Sequence, residues 1–317
     1  GQNYDYELNQ VFFDDLGLRA PDFYLDAVGT DLGETIGNII AKSYSMMVQE
    51  QPDALLLGEV WEDASTKRSY GHRRRYLLGR QLDSVMNYPF REAILAFLRG
   101  GAAADFVNTV MNIAEQYPPQ ALRLLMNHIG THDTERAITA LAGEPDGGRG
   151  RDWQAARRLS GTERRRGLAL MRLATALQYC LPGVPCIYYG DEAGLEGYKD
   201  PFNRGCYPWG EEDAGLLSWY RRLGQMRRVA SVLKEGGIRF LPAGNDVICL
   251  ERFGEGALLC AVNRSEEDRW IPLPAAWRGR TVNLGGGTVE DARLRLPPLD
   301  CAILLAGGGE IDGEAGA

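Results

Sequence analysis

The chain has 317 residues, 44% of them hydrophobic, enough to bury a large core and to form two domains. A net charge of −8 and a pI near 5.1 argue against nucleic acid or an anionic membrane as the main partner. There is no run of 18 or more apolar residues and no charged segment followed by a short apolar core at the start. Neither a membrane span nor a secretory signal is therefore expected. Because the first residue is Gly1 rather than Met, a fragment of a longer protein is expected.

Six cysteines, Cys180, Cys186, Cys206, Cys249, Cys260 and Cys301, contain no Cys-x-x-Cys pair and mostly sit in apolar runs. Buried, reduced thiols and a cytoplasmic location follow as expectations. His72, His128 and His132 make no metal set, since no Glu completes a zinc pattern between the last two. No metal and no cofactor is expected.

In chain order, the first informative stretch is Ala54-Leu55-Leu56-Leu57 followed by Gly58-Glu59-Val60-Trp61. A buried strand ending in a carboxylic acid beside tryptophan predicts a raised carboxyl pKa, which suits a proton donor near neutral pH. Trp61 offers a flat face to a sugar ring; the plain alternative is a strand-end glutamate meeting solvent. Further apolar runs, Ser84–Met86, Leu122–Met126 and Val184–Tyr189, read as strands buried on both faces of a parallel sheet. Between them Arg91–Leu98 and Glu163–Gln178 read as helices, the latter with Leu170, Leu173, Ala174 and Leu177 on one stripe. Strand–helix alternation over residues 51–234 predicts an α/β fold. The triplets Arg73–Arg75 and Arg164–Arg166 read as solvated helix faces.

After about residue 235 short strands replace helices: Val247–Phe253, Ala257–Asn263, Trp270–Leu273, Arg280–Leu284, Ala292–Leu296 and Cys301–Leu305. Their turn spacing predicts an all-β sandwich over 235–306. Gly285-Gly286-Gly287 opens no helix and reads as a turn. Residues 307–317 form a Gly- and acid-rich tail expected to fray.

Each strand run ends in a polar cluster: Glu59 and Trp61; Asn87-Tyr88-Pro89; Asn127 through Arg136; and Tyr189-Gly190-Asp191-Glu192. In parallel α/β folds these carboxyl ends gather active sites. Carboxylates with aromatics, and no nucleotide motif, point to sugar rather than phosphate chemistry.

Gly58-Glu59-Val60-Trp61-Glu62-Asp63-Ala64 resembles the acid/base motif of the α-amylase family of retaining α-glucan hydrolases. Gly130-Thr131-His132-Asp133-Thr134-Glu135-Arg136 resembles the motif carrying its third carboxylate, and Gly183 through Gly194 its last barrel strand. Asp200-Pro201-Phe202-Asn203-Arg204 through Pro208-Trp209 is similar to the neopullulanase and cyclomaltodextrinase branch. The resemblance implies a partial (β/α)8 barrel followed by a sandwich, acting on α-glucan oligosaccharides. It implies that Glu59 protonates the glycosidic oxygen and later activates water. Asp133 then holds sugar hydroxyls, His132 binds the ring at the cleaved bond, Asp200 and Arg204 hold the glycone side, and Trp61 shapes the cleft. The plain alternatives for Asp200, Arg204 and Trp61 are a surface ion pair and a core aromatic.

Retaining chemistry needs a second carboxylate roughly 5 Å from the acid. The closest match to the family's Arg-x-Asp motif is Phe23-Tyr24-Leu25-Asp26-Ala27-Val28, with Tyr24 where the arginine belongs. Asp26 lies 33 residues before Glu59 and Asp31 lies 28 before it, so either or neither is the nucleophile. Residues 1–50 read as a divergent segment supplying a fourth barrel strand and helix. With room for about five strands against the eight of a closed barrel, a missing N-terminal half or a homodimer is expected to cover the open edges. A degenerate module that binds glucan or a partner without catalysis is the competing expectation.

Overall fold

Helical sequence dominates the first of two units, Gly1–Leu56; the second is Leu57–Ala317. The computed structural model describes residues 6–50, 53–79 and 81–306. The tail expected to fray, residues 307–317, lies outside the described residues.

In the first unit, α1 spans Gln10–Asp15 and α2 spans Leu32–Glu50. Asp31 starts α2: its Oδ1 accepts from the Glu34 amide at 2.8 Å, and the Glu34 carboxylate accepts from the Thr30 amide at 2.7 Å. The strand expected across Phe23–Val28 does not form. Asp26 takes a φ of 44°, a left-handed excursion that short polar side chains tolerate and that breaks an extended run.

The second unit opens with β1 (Leu57–Gly58), the hairpin β2 (Arg68–Ser69) and β3 (His72–Arg73), and β4 (Ser84–Val85). Helices α3 (Tyr88–Leu98), α4 (Ala103–Gln116) and α5 (Pro119–Arg123) lead to β5 (Met126–Asn127). Then α6 (Ala137–Ala142), α7 (Arg151–Ala156) and α8 (Gly161–Cys180) precede β6 (Val184–Pro185). Helices α9 (Ala214–Val229) and α10 (Val232–Glu235) complete this part.

β1 runs parallel to β4, Met86 bridges in parallel to Met126, and β5 runs parallel to β6. Four short strands thus form one parallel arc in the order β1-β4-β5-β6. The sequence runs overestimate them. Leu122 and Arg123 close α5, started by Pro118-Pro119, instead of opening a strand. The run Ala54–Leu57 is not buried: Leu55 is 52% exposed and Leu57 37%. Among the described residues β1 has a strand neighbour on one side only, so its other edge has no strand partner there.

Helix α8 is the spine. Ser160 and Glu163 form a capping box, with Ser160 Oγ accepting from the Glu163 amide at 3.2 Å and Glu163 accepting from the Ser160 amide at 2.7 Å. Every residue from Thr175 to Cys180 is buried. Gly167 permits close approach to α6, since a Cβ there would lie 2.7 Å from Ile138 Cγ1.

The chain then forms β7 (Gly237–Leu241), β8 (Val247–Gly254), β9 (Gly256–Asn263), β10 (Arg269–Pro272), β11 (Leu284–Gly285), β12 (Thr288–Glu290), β13 (Arg293–Leu296) and β14 (Asp300–Ala306). They make a five-stranded antiparallel sheet, β11-β14-β9-β8-β7, and a three-stranded one, β10-β13-β12. Gly285–Gly287 turns the chain from one sheet to the other, with Gly285 at a φ of 95°. Alternation sorts the five-stranded sheet's two faces. Ile248, Leu250, Leu258, Cys260, Val262, Cys301 and Ile303 join the core around α8. Val247, Cys249, Leu259, Ala261, Ala302 and Leu304 pack with Ile271, Leu294, Leu296 and Trp277. All six cysteines are free thiols, four of them buried, with Cys186 half-buried and Cys206 exposed.

Candidate active site

Because β1, β4, β5 and β6 run parallel, the residues that follow them leave the arc at one end. Glu59 follows β1, Asn87 and Tyr88 follow β4, and the loop 128–136 follows β5. Asn87 Nδ2 donates to Asn127 Oδ1 at 2.7 Å, tying the ends of β4 and β5 together. Asn87 also caps α3, accepting from the Phe90 amide at 3.3 Å.

Glu59 is exposed, not enclosed by an apolar wall as its sequence context predicted; β1 lies at the open edge of the arc. Its defined partner is Tyr88, whose phenol donates to Glu59 Oε1 at 3.1 Å. Tyr88 is buried beneath Trp61, which stacks on it with ring centroids 4.0 Å apart and planes 14° apart. Trp61 stays 49% exposed, leaving surface free for a ligand. On another side the Tyr88 ring meets His128 edge-on at 4.6 Å. Burial pushes the Tyr88 phenol up to about 12, and the charges of Glu59 and Asp133 push the same way. Tyr88 therefore remains a hydrogen-bond donor at neutral pH.

His128 is buried, with Nδ1 3.1 Å from the Met126 carbonyl and Nε2 without a partner among the described residues. Burial, aided by the positive charge of Arg91, pulls its pKa down to about 4, so the ring is neutral.

The other expected residues form a polar chain. His132 Nε2 lies 3.4 Å from Asp133 Oδ1, Arg204 lies 3.7 Å from the same oxygen, and Arg204 also pairs with Asp200. All four are half-exposed or exposed. Two loops distant in sequence meet here because buried Asn203 donates to the carbonyls of His132 and Thr134, both at 2.7 Å. Behind them Arg136 is fully buried. It donates to the carbonyls of Asn203 and Tyr189, pairs with Asp191 at 3.3 Å, and lies over the Tyr188 and Tyr189 rings. Burial drives Asp191 up to about 7 against the pull of Arg136. Gly130 makes room for this carboxyl, since a Cβ there would lie 2.2 Å from Asp191 Oδ2.

The seven expected residues thus divide three ways. Glu59 and Trp61 share Tyr88; His132, Asp133, Asp200 and Arg204 form the chain. Asp26 belongs to the first unit, exposed in an irregular segment with its carbonyl accepting from Lys42 at 2.8 Å. Asp31 is occupied as the cap of α2. Tyr88, Asn203, Arg136 and Asp191 lie inside the motifs and strand-end clusters quoted above, but residue type alone did not single them out. Among the described residues no group of three or more metal-ligating side chains gathers.

The arc gathers acids and aromatics at its carboxyl end, and similarity to known proteins supplies the family. Residues 34–235 match the alpha amylase catalytic domain, and the chain belongs to the α-amylase family. An amylopullulanase of Thermoanaerobacterium saccharolyticum is 35% identical over 247 residues, covering 70% of this chain and 18% of that protein. A cyclomaltodextrinase of Geobacillus thermopakistaniensis is 29% identical over 306 residues, covering 92% of this chain and 47% of that protein. The solved structure of a cyclomaltodextrinase superposes with a TM-score of 0.65 at 27% identity, covering 87% of this chain and 44% of that one. The chain spans less than half the length of each of these relatives.

Proposed function

We propose that the chain carries the proton-transfer part of a retaining α-glucan hydrolase site. Its substrates would be α-1,4-linked maltodextrins, starch or pullulan, with α-1,6 bonds as a second class. Glu59 gives its proton to the glycosidic oxygen as the bond to C1 breaks, and the leaving chain departs as a neutral alcohol. A second carboxylate, the role that the motif resemblance gives to Asp26 or Asp31, adds to C1 from the opposite face. The Glu59 carboxylate then takes a proton from water, whose oxygen displaces that carboxylate. Asp133 and His132 bind hydroxyls of the reacting ring, Arg204 and Asp200 those of the next, and Trp61 walls the cleft. The observation that carries this reading is Glu59 held by Tyr88, with the His132–Asp133–Arg204–Asp200 chain on loops following the same parallel arc.

The same proposal takes the arc as the C-terminal part of a (β/α)8 barrel (residues 51–234) and the two sheets as a sandwich domain (235–306). Four strands are half of a closed barrel. The others would come from an N-terminal half or from a second copy. A cytoplasmic location is supported by the six free thiols; no described helix is long and apolar enough to cross a membrane.

A second reading, a glucan-binding module without catalysis, is favoured by one observation: Asp26 sits in coil, with Tyr24 where the family has an arginine. Incubation with a fluorinated glycosyl fluoride, followed by peptide mass spectrometry, separates the two. An adduct on Asp26 supports the hydrolase. No adduct on Asp26 or Asp31, together with no cleavage of maltodextrin, leaves only the binding module.

A further inference from the structure

The loop joining β1 to β4 contains the feature least expected in an acidic protein. Arg73–Arg75 do not lie on a helix; they belong to and follow the β2–β3 hairpin. Lys67, Arg68, Arg73, Arg74 and Arg75 fall within nine residues that contain no acid. Arg68 and Arg73 stand directly opposite each other in the ladder, an unfavourable like-charge pair. Lys67 pairs with Glu62, but among the described residues none of the four arginines pairs with a carboxylate.

The tip is also strained. Tyr70 and Gly71 both take left-handed conformations, with φ of 52° and 78°, as a two-residue hairpin turn requires. A bulky aromatic residue is disfavoured there, yet Tyr70 is 92% exposed and gains little from burial. Beneath the hairpin, against the α4–α5 junction, lies a cavity of about 70 Å³ lined by Ser65, Arg73, Arg74, Arg75 and Gln116 among others. This is several times the roughly 10–15 Å³ needed for one water. The Arg73 Nε is used on the Ser65 carbonyl at 2.8 Å, which fixes its guanidinium. The Arg74 Nε is buried with no hydrogen-bond partner among the described residues.

We propose that this cavity binds a phosphate monoester. A tetrahedral dianion supplies what the cluster lacks: charge to offset the three arginines that line the cavity, and oxygens in the fork geometry that guanidinium groups recognise. The hairpin is rooted in the segment that follows Glu59 and Trp61, and it presents Tyr70 beside the arginines, so a phosphate carried on a sugar fits better than free phosphate. Only this sugar preference rests on the proposed glucan site.

The test is calorimetric titration of the full chain with inorganic phosphate, glucose 6-phosphate and glucose, with maltotriose titrated separately. Saturable binding of glucose 6-phosphate and phosphate, but not glucose, is expected. Affinity should fall about tenfold or more in Arg74→Gln and in Arg75→Gln, with maltotriose binding unchanged. Tighter binding of glucose 6-phosphate than of phosphate identifies a sugar ester as the ligand; equal binding identifies free phosphate at the same site. Absence of saturable binding by either anion, or undiminished binding in both folded variants, overturns the proposal. Failure of maltotriose alone to bind would instead count against the glucan site and leave the anion site standing.

Discussion

Tyr88 is the residue on which the site geometry turns, because it touches Glu59, Trp61 and His128 at once. Its hydroxyl holds Glu59 Oε1, so Tyr88→Phe should loosen the placement of that carboxyl. The kcat/KM on maltotriose should fall about 10–100-fold, as for a lost hydrogen bond to a charged group. Trp61 fluorescence should stay unchanged, since the ring stack survives. His128 allows a stability test. The folded imidazole stays neutral down to about 4, whereas an unfolded one protonates below 6.5. The contribution is therefore complete above pH 6.5 and is lost as pH falls toward 4, amounting to about 3 kcal/mol. His128→Gln should flatten the pH dependence of the urea midpoint across that window. A slope equal to that of the unmodified protein would contradict the assignment.

At the scale of elements, two helices and the longer antiparallel strands were legible, and the parallel strands of the arc were not. Arg91–Leu98 and Glu163–Gln178 emerge as α3 and α8, each a few residues longer, because their 3.6-residue apolar stripes and caps are local properties. The strands of the arc shrink to two residues each, since parallel pairing depends on partners far along the chain. Strands β8, β9 and β14 were read nearly correctly because their turns and alternation are local. β7 and β12 were missed: neither contains a fully buried residue, and each alternates polar or glycine positions with half-buried apolar ones. The same dependence on partners explains the site. Glu59, His132 and Asp133 were visible in motifs, whereas Asn203 and Arg136 matter only once two loops meet. Ser160→Ala removes the side-chain half of the capping box on α8 and should cost about 1 kcal/mol in urea unfolding. No measurable change would show that packing alone starts this helix.

In the second unit, buried arginines join the arc to the sheets. Arg252 donates to the carbonyls of Cys180, Gly236 and Gly237, reaching from β8 to the end of α8. Arg264 donates to the carbonyls of Phe97 and Gly101, binding the end of β9 to the end of α3. Arg252→Ala would strand the buried Cys180 carbonyl, worth about 1–3 kcal/mol, take the donor from two part-buried carbonyls and empty the space of a buried side chain. We expect a loss of about 3 kcal/mol or more in a single transition. A loss confined to the sheets would mean that they unfold independently of the arc. The central claim, that Glu59 is the proton donor of an α-glucan hydrolase, is tested most directly with Glu59→Gln and two substrates differing in leaving group. Maltotriose needs protonation of its leaving oxygen; α-maltosyl fluoride does not. Hydrolysis of maltotriose should fall about 10²–10⁴-fold while the first-turnover burst of fluoride, which precedes the step where Glu59 activates water, changes little. Equal loss on both substrates, or none on either, would contradict the assignment of Glu59.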